Sequence, residues 1–416
     1  MAMARIEFPE ETRKRVDAIG NADFVLGVAG AIHPEDLRAK AGEWVRSIAP
    51  TPMKAVVVYA GLEALNGAEP TGDGLEFLPY PLPARDPSVG PWAEISMAQR
   101  SVLGLASLLN ARCCTVVHND LTALHDPDLR QLAASALEGK CDVAMPVYPE
   151  KKYEGLINKS LLAPLSRALF GRRVRNPLAF DFCASARMLA KLGDIGVERS
   201  QPGPPLLWPS NVVAMESGQI CEAFIGATHT VQTDGLELSA VLAQLAGGIF
   251  QEVEACAVHW QRVRGSQPAE ICGPSNGVAA VADTDGDPVD ARPLIDSFVL
   301  GSRNLEEVWR LVLPPVSLFE LKRLTRLAPE QFQMPDELWA RVVYDFALAF
   351  RLRRIGRSHL LGALTPLYLG WVASYAQEVA HATVIEADER VERLARVFEE
   401  NKPYFVSRWR WPDRSN

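Results

Sequence analysis

Residues 115–122 run as an apolar stretch that closes on His118, Asn119 and Asp120. Polar groups at the C-terminal end of a parallel strand face the crevice where such sheets bind ligands. A carboxylate there can hold Mg²⁺ or Mn²⁺, an imidazole is an acceptable ligand for Mn²⁺, and the cation neutralises a diphosphate leaving group. The plainer alternative is an Asn or Asp that caps the next turn. His229 follows another apolar run, residues 220–225, and its spacing alone favours an exposed loop histidine. Arg172, Arg173 and Arg175 can fork onto a carboxylate or phosphate, and they fit a solvated basic turn equally well.

Gly27-Val28-Ala29-Gly30 suggests part of a dinucleotide-binding turn, but a third glycine is missing. The next strand also lacks a terminal acid, reading Val58-Tyr59-Ala60-Gly61. A tight strand-to-helix turn accounts for the two glycines. The sequence has no G-x-x-x-x-G-K-[ST], G-x-S-x-G or H-E-x-x-H, which removes the common phosphate-loop, hydrolase and zinc-protease classes. Cys113 and Cys114 sit in an apolar run as core residues. The seven cysteines include no C-x-x-C pair, so the spacing gives neither a zinc ligand set nor the disulfide framework of a secreted protein, and the reducing cytosol fits best.

The elements that must position these residues follow from periodicity. Short apolar runs at 24–29, 54–59, 113–117 and 143–148 predict strands, and 220–225 predicts a further one. Between them, Leu37, Ala41, Trp44, Val45 and Ile48, and then Ile95, Ala98, Val102, Leu105, Ala106 and Leu109, recur at helical spacing. This alternation predicts an α/β, doubly wound, mostly parallel sheet. Residues 265–293, rich in Gly, Pro and Asp, read as a loop, and we place a domain boundary near 295. Beyond it the apolar period is helical through Leu305 to Val312, Trp339 to Phe350 and Val391 to Phe398, which makes 296–416 a helical subdomain.

A chain of 416 residues, 48% hydrophobic and 23% charged, can bury a large core. Its formal charge of -8 argues against a nucleic-acid binder, which needs Lys and Arg in excess over its acids. The charged first 20 residues lack the apolar core of a signal peptide. Residues 360–376 carry no charge, but they hold Gly362, Pro366 and Gly370 among amphipathic helices. They read as a buried helix interrupted at Pro366 rather than a membrane span.

Residues 140–189 resemble the mannosylglycerate synthase and glucosyl-phosphoglycerate synthase group of glycosyltransferases. The resemblance is carried by Pro146-Val147-Tyr148, Lys152-Tyr153-Glu154-Gly155, Ile157-Asn158, Pro164 to Leu169, Gly171 to Arg175 and Pro177 to Asp181. Similarity continues through 208–226, 338–350, 364–374 and 402–409, and is poor in the first hundred residues. The resemblance implies a GT-A fold in 1–295 and transfer from a nucleotide diphosphate sugar to a small polar acceptor. It also implies a divalent cofactor, Mn²⁺ or Mg²⁺.

Carried onto this chain, the family's D-x-D motif becomes His118-Asn119-Asp120, and His229 falls near a histidine ligand, so His118, Asp120 and His229 form the implied metal set. Asn119, Asp120 and Asn211 would face the donor. Lys152, Tyr153, Asn158, Arg173 and Arg175 would face the acceptor, and Asp181 would orient or activate its hydroxyl. The chain departs from the family where Trp208-Pro209-Ser210-Asn211 replaces an acid by an amide that cannot act as a base. It departs again where Ala179-Phe180 replaces two glycines and narrows the pocket, and where residues 29–33, 60–64 and 90–94 lose donor-facing groups. Two functions follow as expectations: a glycosyltransferase, or a non-catalytic relative that senses ligands or associates through its helical tail as a homo-oligomer. A nucleotidyltransferase would need a Gly- and Lys-bearing loop after the first strand, which residues 29–34 do not offer.

Overall fold

A computed structural model describes residues 6–31, 34–48, 53–61, 75–81, 90–118, 126–194, 205–225, 237–272 and 287–412. The described strands are β1 (Phe24–Ala31), β2 (Ala55–Ala60), β3 (Leu75–Tyr80), β4 (Cys113–His118), β5 (Val143–Val147), β6 (Arg172–Arg173), β7 (Phe182–Ser185), β8 (Ile220–Phe224), β9 (Gln267–Pro268) and β10 (Glu270–Cys272). Eight form one sheet in the order β10-β8-β5-β7-β4-β1-β2-β3, and β6 pairs with β9. Every pairing in the large sheet is parallel except those of β7, which runs antiparallel between β4 and β5.

The chain packs as two compact units: Met1–Pro149 with Val174–Gln232 and Pro268–Ala280, and Glu150–Arg173 with Thr233–Gln267 and Val281–Asn416. Against a single cut at 295, the packing adds Glu150–Arg173 and Thr233–Gln267 to the helical tail.

The first unit holds the large sheet. The runs in β2 and β5 are buried at every position, as expected where helices cover both faces of a parallel sheet. Alternate residues serve opposite cores. Val25, Ala29, Val56, Val116 and Met145 pack with Val102 and Leu105, while Phe24, Leu26, Val57, Val117 and Ala144 pack with Trp44, Leu129 and Leu132. Gly27 lies inside β1 rather than in a turn. A Cβ there would meet Val102 Cγ1 at 1.9 Å, so the glycine admits the Pro91–Leu108 helix against the strand.

The periodicity leaves out several strands, β3 and β7 of the large sheet among them. β3 lies at the sheet edge, contains Pro79 and is only partly buried, and β7 has four residues. Part of the expected 265–293 loop is likewise ordered as β9 and β10.

One disulfide is present among the described residues. Cys221 in β8 and Cys272 in β10 are joined, 51 residues apart in sequence, because the parallel pairing of these strands brings them to one face. Spacing along the chain carries no sign of this.

In the second unit, the expected tail helices are Glu306–Val312, Asp336–Leu352 and Val384–Arg410. The Arg357–Glu378 helix runs unbroken through Pro366, a correction to the expected interruption. The Ala291–Asn304 helix supports it: Gly301 leaves room for the Pro366 ring, and a Cβ on Gly301 would meet Pro366 Cβ at 2.4 Å. Trp309 Nε1 donates to the Ala363 carbonyl at 2.9 Å in the turn before the proline, where helical bonding is weakened. No described helix is long and apolar enough to cross a membrane. The resembling segment at 150–173 is tied into this unit by Arg167, which bonds Glu392 at 2.6 Å and Glu399 at 2.9 Å.

Candidate functional site

Because β1, β2, β4 and β5 are parallel, their C-terminal ends share one edge of the sheet, and the reversed β7 begins at that edge. Asp181 immediately precedes β7, whose Phe182 pairs with Val116 of β4. Its side chain is fully buried. Oδ1 accepts the His118 backbone N–H at 2.9 Å, and Oδ2 accepts the Tyr148 hydroxyl at 2.8 Å. Asp181 therefore ties the end of β4 to the residue after β5. Both oxygens accept hydrogen bonds, so Asp181 positions the two segments that meet at this edge.

The His118 ring lies 5.8 Å from that of Phe180, centroid to centroid, so Phe180 packs against the imidazole. The Pro91–Leu108 helix sets this segment: Gln99 Nε2 donates to the carbonyls of Ala179 at 2.9 Å and Phe180 at 3.1 Å. The same helix holds the approach to Trp208. Arg100, itself buried, donates to the carbonyls of Asp194, Pro205 and Leu206. Ser96 Oγ accepts the Leu207 N–H at 3.0 Å. Tyr148, Ser96, Gln99 and Arg100 were not legible as site residues, because each acts on a segment far away in sequence. For Ser96, Gln99 and Arg100 the signal was polarity within otherwise apolar surroundings; Tyr148 lay in a segment that carries the resemblance.

Asn211 lies buried in the short Pro209–Met215 helix. Next to it, Trp208 Nε1 and Ser210 Oγ are buried and bond no protein group. Such atoms are costly unless a ligand or water meets them.

Glu222 on β8 accepts the Arg175 backbone N–H at 2.6 Å, and Asn176 Nδ2 donates to the Pro146 carbonyl at 3.3 Å, fixing the chain as it approaches Asp181. Burial pushes the Glu222 carboxyl up to about 7, against the opposing pull of the Arg175 N–H and guanidinium. The Arg175 side chain is exposed.

The other expected acceptor residues belong to the second unit. Lys152 is buried: its ammonium donates to the Ala382 carbonyl at 3.1 Å, and its own carbonyl accepts the Tyr375 hydroxyl at 2.9 Å. Tyr153 lies beneath that ammonium, 5.4 Å from ring centroid to nitrogen. Asn158 opens a π-helical turn, and exposed Arg173 donates from Nε to Ser266 Oγ at 3.0 Å. Lys152 thus helps hold its own unit together. Asn119, Asp120 and His229 lie outside the described residues. Of the implied metal set, His118 alone is described.

No family model matches the chain, and no curated protein matches it. Among solved structures it is similar to glucosyl-3-phosphoglycerate synthase from Mycobacterium tuberculosis in complex with Mn²⁺, UDP and phosphoglyceric acid. That match has 15% identity, covers 61% of this chain and 84% of that one, and has a TM-score of 0.36. The same enzyme with Mg²⁺ and UDP matches at 18% identity, over 61% of this chain and 87% of that one, TM-score 0.36. A mycobacterial protein matches at 15%, over 60% and 80%, TM-score 0.34. Overlaps of this size carry no residue role from those proteins to this chain. The chain's own strands form the α/β sheet, with helices and a helical C-terminal region, that the sequence led us to expect.

Proposed function

We propose that the chain is a glycosyltransferase-like protein that binds a nucleotide diphosphate sugar at the C-terminal edge of its sheet and transfers the sugar to a small polar acceptor. The observation that carries this reading is the Asp181 bridge. A fully buried carboxylate fixes the His118 main chain and the Tyr148 hydroxyl at the strand edge where α/β sheets bind ligands. It anchors His118, the last residue of β4. The buried, unbonded Trp208 Nε1 and Ser210 Oγ are two further polar atoms of the same unit that a ligand or water would satisfy.

In this reading Asp181 and Tyr148 position the strand ends, and Gln99 holds the Ala179 and Phe180 carbonyls in place. His118, Asp120 and His229 would hold a divalent cation; a mixed imidazole and carboxylate donor set suits Mn²⁺. When bound, the cation supplies charge neutralisation for the departing diphosphate. Arg175, exposed beyond its anchored main chain, is a candidate contact for an acidic acceptor group.

The test is sugar release or transfer from a panel of nucleotide sugars with Mn²⁺. Activity that falls to background in Asp120→Ala is expected. Activity unchanged by that substitution removes Asp120 from the mechanism.

A second reading, a non-catalytic relative, draws on Asn211, a buried amide where the resembling family has an acid. It predicts no rise in melting temperature with any nucleotide sugar.

A further inference from the structure

Three cysteines far apart in sequence converge on one point in the first unit. Cys221 lies on β8, Cys272 ends β10, and Cys141 lies just before β5. All three are buried against the same apolar core, with Leu132, Ala136 and Ala223. Their sulfurs lie within 4.8 Å of one another, and they are the one group of three metal-ligating side chains found among the described residues.

The pairing of strands places them there. Cys221 stands opposite Ala144 of β5, three residues after Cys141, and Cys272 stands opposite Ala223 of β8. Cys221 and Cys272 are joined as a disulfide, while the Cys141 sulfur, 80 residues before Cys221, lies 2.7 Å from the Cys221 sulfur. A staple between β8 and β10 needs two sulfurs. The third has no part in it, yet it meets the same point.

We propose that Cys141, Cys221 and Cys272 are a ligand set for one thiophilic cation in the reduced chain, and that the Cys221–Cys272 disulfide is the oxidised form in which this site is closed. Thiolates select soft ions such as Cu(I) and Zn²⁺, and metal–sulfur bonds of about 2.3 Å span such a triangle after small side-chain rotations. All three sulfurs are carried on strands or on the turn that enters one, so the backbone fixes their spacing.

Opening the site is a two-electron step. A dithiol gives two electrons and two protons to the Cys221–Cys272 bond and becomes a disulfide itself, leaving both cysteines as thiols. The cation then displaces the thiol protons to solvent and takes the sulfurs as thiolates. The reverse step, with loss of the cation, needs a disulfide oxidant.

The test uses the full chain, reduced with a dithiol that is then removed under inert gas, and titrated with Cd²⁺ while the sulfur-to-cadmium charge-transfer absorption is followed. One Cd²⁺ per chain is expected in the reduced protein and none in the oxidised protein. Binding should weaken by at least about tenfold in Cys221→Ser and in Cys141→Ser. Cys141→Ser keeps the disulfide pair, so its fold can be checked in the oxidised form. Cys114→Ser, whose sulfur belongs to the core on the other face of the sheet, should bind as the unaltered chain does. Absence of the absorption in the reduced chain, or equal binding in Cys141→Ser, overturns the proposal.

Discussion

Asp181 in the first unit and Asp345 in the second are both almost wholly buried, and the two are held differently. Asp181, at the edge of the sheet, accepts from two neutral donors, the His118 N–H and the Tyr148 hydroxyl. Asp345, in the helical tail, accepts from the Tyr404 hydroxyl and pairs with Arg408 at 2.7 Å. Burial pushes the Asp345 carboxyl up to about 7 despite the guanidinium beside it. The tail acid joins the Asp336–Leu352 and Val384–Arg410 helices. The sheet acid joins the end of β4 to the residue after β5. Our reading assigns contact with the cation to Asp120.

The largest effect that would break this comparison is on stability. Asp181→Ala leaves two buried donors without an acceptor and is expected to cost about 4 kcal/mol, read as a fall in the denaturant midpoint. A loss below about 1 kcal/mol would mean that Asp181 does not hold the strand ends.

Next comes pH. Glu222 and Asp345 have ordinary values of 4.5 and 3.8, and both are raised to about 7 in the fold. The folded state then holds protons that the unfolded chain has already released. The stability these groups contribute is full below about pH 4 and is lost as pH rises through about 7, on the order of 3 kcal/mol for each group. Glu222→Gln should remove its share of that slope, which melting temperatures between pH 5 and 8 would show. An unchanged slope would mean that the carboxyl is not raised.

Asp345→Ala should cost less than Asp181→Ala, about 2 kcal/mol, because its charged form is already disfavoured and Arg408 retains some access to water. Equal costs would erase the distinction between the two acids. Tyr148→Phe, which removes one hydroxyl donor and keeps the ring, should cost only about 1 kcal/mol. If it instead abolishes turnover with stability intact, the Tyr148–Asp181 pair acts in chemistry.

These contacts also mark what a reader of the sequence can and cannot see. β1, β2, β4 and β5 were legible because burial on both faces writes a continuous apolar run, and the long tail helices because they repeat at helical spacing. β3, with Pro79 at an edge, and the four-residue β7 leave no comparable pattern. Asp181 was reached through the resemblance. Its partner Tyr148, 33 residues away, and Gln99, 80 residues from Ala179, were not, because those pairings are made by the sheet and the Pro91–Leu108 helix. The three-cysteine cluster was missed for the same reason: its separations of 51 and 80 residues match no metal-binding spacing.

The most direct test of the central claim is calorimetric titration of the full chain with UDP-, GDP- and ADP-sugars, with and without Mn²⁺, in the unaltered protein and in Asp120→Ala. The account predicts that at least one donor binds, that binding requires Mn²⁺, and that Asp120→Ala abolishes it. Absence of binding to every donor, or Mn²⁺-dependent binding that survives Asp120→Ala, would contradict it.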